Sequence, residues 1–157
     1  MHRFDKSVGL VLVLLALILS LGLITRPLAA APPLVEAAKA GDLAAVEHLL
    51  SAGADPDQHD RHRNTALIFA ARDGHLEMAR ALIAAGASVN WADGEMVTPL
   101  ILAAHKNRPE VARLLLEAGA DPAPRDKWGR QALDYALRRG AGDPIARMIR
   151  ASQPPAD

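Results

Sequence analysis

The chain has 157 residues, half of them apolar, which is enough for one domain with a buried core. Its 18 Lys and Arg balance its 18 Asp and Glu, so no overall basic field draws in nucleic acid and any electrostatic recognition must be local. Without cysteine there is no disulfide framework, thiolate metal site, cysteine nucleophile or acylated N-terminal cysteine, and 3% aromatic residues favour helices over sheets.

Arg3 and Lys6 precede an apolar and weakly polar run from Val8 to Ile24, followed by T-R-P-L-A-A-A-P-P. Residues 1–31 have the layout of a secretory signal peptide or, left uncut, of an N-terminal membrane anchor over 8–24. Small Ala29 and Ala31 suit cleavage while Pro32 opposes it, and both readings stand. Because Arg3 and Lys6 outweigh Arg26, either outcome sends the rest of the chain outward, to a periplasmic or secreted location. Membrane contact is expected only through this segment when uncleaved.

From Pro32 the sequence repeats. Leu34, Leu67, Leu100 and Leu133 are 33 apart, as are Ala37, Ala70, Ala103 and Ala136, and Gly53, Gly86 and Gly119. Gly41, Gly74, Asn107 and Gly140 mark the end of a short first helix of about eight residues in each unit, since Gly and Asn take the left-handed conformation that closes a helix. Thr65 and Thr98 supply N-caps, and Pro99 sits at the first helical position, where its missing N–H costs nothing.

The second helix of each unit shows one apolar stripe: Leu43, Val46, Leu49 and Leu50, then Leu76, Ala79, Leu82 and Ile83. Glu47, Glu77, Arg80 and Arg113 fall off it. Helices this short are unstable alone, so stacking must bury each stripe on a neighbour. The expected units are 32–64, 65–97, 98–130 and 131–152, with a tail at 153–157. In the last unit the second helix is expected near Asp143 and Pro144, with one extra residue in R-R-G-A-G.

The stretches T-A-L-I-F-A-A-R-D-G-H-L-E (65–77), T-P-L-I-L-A-A (98–104) and the A-G-A-D ending at Asp121 resemble the ankyrin repeat over residues 32–152. The resemblance implies an all-α solenoid of about four 33-residue helix-turn-helix units with projecting hairpin loops, a non-enzymatic protein-protein interaction module. The family's usual His is replaced by Ile68, Ile101 and Asp134. Its hairpin glycine is replaced by Arg63 and Met96 and survives only as Gly129, which leaves the geometry of the first two fingers open.

The family binds partners through finger tips and the exposed positions of the first helices. Carried onto this sequence, these include Arg61, His62, Arg72, His105, Lys106, Arg125, Lys127, Trp128, Arg130, Arg138 and Arg139, with Trp91 as a further contact or a cover for its loop. The last five cations surround Trp128 with no acid except Asp126, which resembles a structural turn residue. An aromatic anchor in a cationic rim points to a partner protein with an acidic surface. The alternative is solvated cations complementing a helix end, with Trp128 packed on Pro122 or Pro124.

His59 and His62 with Asp57 and Asp60 form the one metal-like grouping, but on a loop tip without a fixed third ligand and with no zinc spacing, so no metal or other cofactor is expected. The sequence has no G-x-S-x-G, H-E-x-x-H or phosphate-cradling glycine loop, and no catalytic residue is assigned. The reading is therefore an envelope binding module, such as an immunity protein or an accessory to an envelope enzyme, or alternatively a membrane-anchored spacer or assembly factor with no tight-binding face.

Overall fold

The structure, a computed structural model, describes residues 31–153; the expected leader over 1–30 and the tail residues 154–157 lie outside the described residues. Eight helices are described: α1 (Pro33–Ala40), α2 (Leu43–Ser51), α3 (Ala66–Asp73), α4 (Leu76–Ala84), α5 (Pro99–His105), α6 (Pro109–Glu117), α7 (Ala132–Leu137) and α8 (Pro144–Ser152). The odd-numbered helices pack side by side in one layer, the even-numbered ones in a second, and each odd helix packs on the even one that follows it. This is the expected all-α solenoid of four units. Among the described residues no helix is long and apolar enough to cross a membrane.

The leucine column is realised inside the stack. Leu34, Leu67 and Leu100 are fully buried and Leu133 is partly buried against the same core. Burying a leucine contributes about 1.5–3 kcal/mol. Such contributions hold helices of six to nine residues that would not persist alone. Small Ala38, Ala70, Ala71, Ala103, Ala104 and Ala136 are buried too and let the first helices approach closely. In the second helices the buried sets Met78, Ala79, Leu82 and Val111, Ala112, Leu115 follow the 33-residue period, whereas Ile145, Ala146 and Ile149 come one residue late, matching the insertion expected in R-R-G-A-G.

Helix ends follow local chemistry. The Thr65 and Thr98 hydroxyls accept from the Ile68 and Ile101 N–H groups at 3.4 and 3.3 Å, and the Asp143 carboxylate accepts from Ile145 and Ala146. Gly41, Gly74, Asn107 and Gly140 all have positive φ, as expected for helix closure. Gly74 has a second reason to lack a side chain. A Cβ there would lie 2.7 Å from Cδ of Arg108, which folds back from the next unit.

Between units the chain forms three fingers with one shared plan. In the first, Asp60 N–H donates to the Asn64 carbonyl and Arg63 N–H to the Asp60 carbonyl; Asp93 with Val97 and Met96, and Asp126 with Arg130 and Gly129, repeat the pattern. Arg63 (φ 65°), Met96 (φ 60°) and Gly129 (φ 76°) share the left-handed conformation, so the first two fingers keep the glycine geometry without glycine. The hairpins are minimal: one isolated bridge, His59 to Thr65, is the only β pairing among the described residues.

Candidate interaction surface

The fingers are braced from inside by the aspartates at their bases. Asp60 Oδ1 accepts from the His62 and Asn64 N–H groups, Asp93 Oδ1 from Glu95 and Val97, and Asp126 Oδ1 from Trp128 and Arg130, at 2.7–3.0 Å. Fingers also bind each other. Gly94 N–H donates to the His62 carbonyl at 2.8 Å and Lys127 N–H to the Glu95 carbonyl at 2.9 Å. At the finger bases Asp57 accepts from Ser88 N–H, and Asn90, one period later, accepts from Asp121 N–H. The finger tips are thus a connected row carrying His62, Glu95 and Trp128 at equivalent positions.

The third finger and α7 hold the densest constellation. Asp126, 2% exposed, accepts a hydrogen bond from the Tyr135 hydroxyl at 2.5 Å on Oδ2, and Arg130 Nε lies 3.8 Å from the same oxygen. Burial acts to raise the Asp126 pKa, but the Tyr135 hydroxyl, the two backbone N–H groups and Arg130 together hold it below the ordinary carboxylate range. Burial and the bond to Asp126 push the Tyr135 hydroxyl up. Arg130 and Arg138 both approach the Tyr135 ring, with Cζ 5.0 and 5.1 Å from its centroid, and His105 sits 4.8 Å from it. Burial, followed by the charges of Lys106, Arg138, Arg130 and Arg139, pushes the His105 pKa down.

Trp128 stands 54% exposed beside this cluster, with Lys127 Nζ and Arg130 Cζ 4.5 and 5.1 Å from its ring centroid. The expectation that Asp126 is the sole acid here requires correction: Glu95 reaches over from the second finger and forms an ion pair with Lys127, and Asp143 holds Arg139. The patch is therefore less basic than the third finger's sequence suggests. Among the described residues Lys106, Arg125 and Arg138 have no carboxylate partner, although Arg125 donates to the Gly129 carbonyl.

The remaining expected contact residues fall into two groups. Arg61 and His62 share the exposed first tip, where Arg61 Nε meets His62 Nε2 at 3.0 Å beside an open groove of about 540 Å³ reaching Glu95. Arg72 is tied to Asp73 by two bonds of 2.9 and 2.8 Å and lies over Phe69. Trp91 and Arg139 have structural duties that their sequence positions did not reveal. The Trp91 indole N–H donates to the Arg63 carbonyl at 2.9 Å while His59 and Arg63 cover its ring, so it props the first finger. Arg139 binds nearly buried Asp143 at 2.7 Å and the Ala104 carbonyl at 2.8 Å, joining α5 to α7 and α8. Tyr135, absent from the expected set, is the residue on which the constellation is built; its only sequence signal was an aromatic in the register of Phe69 and Leu102.

His59 and His62 with Asp57 and Asp60 do not converge. Asp57 and Asp60 each accept backbone N–H groups and His59 stacks on Trp91. Among the described residues no group of three His, Cys, Asp or Glu is placed to hold a metal ion.

The family model for ankyrin repeats matches residues 34–126 as three copies, more than half of the chain. The chain belongs to the ankyrin-repeat family. Comparison with curated proteins found no match. Ankyrin repeats are generally protein-protein interaction modules. In this ankyrin-repeat chain the fourth unit, from Gln131 onward, lies wholly beyond the matched residues. It opens with Gln131, whose N–H is accepted by Asp134 and whose side chain donates to the Ala123 carbonyl, in place of a threonine cap.

Proposed function

We propose that the chain is a non-enzymatic binding module of the cell envelope that docks an acidic partner protein onto its finger tips and the exposed turns of α5 and α7. The observation that carries this reading is half-exposed Trp128 sharing a cleft with Lys106 and Arg138, with Arg125 held on the neighbouring Gly129 carbonyl, three cations without a carboxylate partner among the described residues. An aromatic anchor gives affinity on desolvation, and surplus positive charge around it steers an acidic surface and rejects a basic one. The envelope location rests on the signal-or-anchor layout of residues 1–31. An immunity partner for a toxin and an accessory protein for an envelope enzyme both fit such a module.

The test is affinity capture by the full chain from an envelope extract, with proteins identified by mass spectrometry, beside the variant K106E/R125E/R138E. The reading expects a retained protein that the charge-reversed variant loses while its circular dichroism is unchanged. Identical retention by both chains, or none by either, contradicts it and favours a spacer without a tight-binding face.

A further inference from the structure

We infer that the cleft bounded by the second and third fingers, α5 and α7 is a carboxylate-recognising subsite, which takes an acidic side chain of an extended partner segment and lays the adjoining apolar side chain against Trp128. This rests on the docking face proposed above and names the chemistry it reads. The cleft encloses about 300 Å³ and is lined by His105, Lys106, Trp128, Arg130, Tyr135 and Arg138. That is room for one or two side chains and not for a folded surface.

Its charge is positive after internal pairing. Asp93 and Glu95 also line it, and with Asp126 they set three carboxylates against Lys106, Lys127, Arg130 and Arg138, which leaves one surplus positive charge. Asp126 is enclosed beneath, its Oδ1 held by two backbone N–H groups and its Oδ2 by Tyr135. Its single charge cannot neutralise both arginines. Arg130 Nε is buried without a hydrogen-bond partner, 3.8 Å from Asp126, and Arg138 has no carboxylate at all among the described residues.

The donors are also positioned in advance. Arg130 and Arg138 are both anchored on the Tyr135 ring, and the bond from its hydroxyl to Asp126 fixes that ring. Guanidinium groups held in place lose little further freedom on binding, and their planar forks suit a carboxylate. Trp128 offers an apolar face within 5.1 Å of Arg130. An acidic residue next to a leucine or similar side chain fits both features, whereas a polyanion without apolar groups would leave Trp128 uncovered.

The test uses the full chain, isotope-labelled and held in non-ionic detergent at an ionic strength of about 0.01 M, where screening is weak. Acetyl-Glu-Glu-Leu-Glu-Glu-amide and its all-glutamine counterpart are titrated while the indole N–H resonances of Trp128 and Trp91 are followed. The acidic peptide is expected to shift Trp128 saturably and leave Trp91 in place, the glutamine peptide to shift neither. Arg138→Glu should weaken the acidic peptide by about tenfold or more, while Arg113→Glu, an equal change of net charge at an exposed outer position of α6, should have little effect. Equal weakening by both variants, binding of the glutamine peptide, a Trp91 response or absence of saturation each overturns the subsite. Partner capture that survives Arg138→Glu but is lost with K106E/R125E/R138E leaves the docking face standing and removes this cleft from it.

Discussion

The hydroxyl of Tyr135 donates to Oδ2 of Asp126 across 2.5 Å, so the last short helix holds the third finger through one buried bond. Asp126 Oδ1 shapes the finger turn while Oδ2 faces the helix, and this single carboxylate couples the finger's conformation to the arginine cluster on Tyr135. Tyr135→Phe removes the donor and leaves a buried carboxylate oxygen under-satisfied, a loss of about 1–3 kcal/mol. Urea unfolding should show a lower midpoint with an unchanged slope. An unchanged midpoint would mean that the bond contributes nothing.

Asp60, Asp126 and Asp143 are all held below the ordinary aspartate value, despite burial that acts to raise it, by hydrogen bonds and cations around each. Depressed folded-state values mean that their contribution is fully present above the unfolded pKa of about 4 and is lost as pH falls through the lower folded values. These three carboxylates should leave the urea midpoint unchanged between neutrality and that point and lower it below. Asp126→Asn should flatten the drop; a profile unaltered by the substitution would contradict the assignment.

Adjacent arginines at the end of α7 should behave differently. Arg139→Ala strands the nearly buried Asp143 carboxylate and frees the Ala104 carbonyl, costing about 2–4 kcal/mol. Arg138→Ala removes an exposed cation and should change stability by less than about 0.5 kcal/mol. Thermal melts of the two variants decide it. Equal effects would show that the pair is not structural.

Met96 holds φ 60° with its side chain 53% exposed, a position where a side chain adds backbone strain and few contacts. Met96→Gly should stabilise the chain by about 0.5–1 kcal/mol, the relief of left-handed strain outweighing the larger unfolded-state entropy of glycine. Met96→Val should destabilise it, because branching at Cβ worsens the same clash. Equal melting temperatures for the three proteins would argue that this turn is not strained.

Burial and the nearby cations hold His105 below the ordinary histidine value, so in the folded chain it takes up its proton later than in the unfolded one as pH falls. Its depressed value favours the folded state above the unfolded pKa of about 6.5 and works against it as pH drops through that range. NMR titration should place its midpoint below that of an exposed histidine, and Arg138→Gln should raise it. A midpoint unmoved by Arg138→Gln would deny the electrostatic coupling.

Much of the scaffold was legible because each unit depends on the same local chemistry at the same spacing. Leu34, Leu67 and Leu100 could be placed in one column, Thr65 and Thr98 at helix starts, and the late second helix of the fourth unit at Asp143 and Pro144, from periodicity and capping alone. Asp60, Asp93 and Asp126 also lie 33 apart, so the finger braces were written in the sequence, with only the last read as a turn residue. The Glu95–Lys127 pair was not readable, because it depends on how closely neighbouring fingers approach. Trp91 was ambiguous for a similar reason: its partner, the Arg63 carbonyl, is 28 residues away and carries no residue-type signal. The weight of Tyr135 is not readable either, because it comes from what converges on its ring.

Hydrogen–deuterium exchange of the full chain with and without its captured partner tests the central claim most directly. Binding through the finger tips and the exposed turns of α5 and α7 should add protection at residues 59–64, 93–97 and 125–130 and around His105 and Arg138, leaving the outer positions Glu47, Glu77, Arg80 and Arg113 unchanged. Protection confined to the outer faces of α2, α4 and α6 would contradict the account.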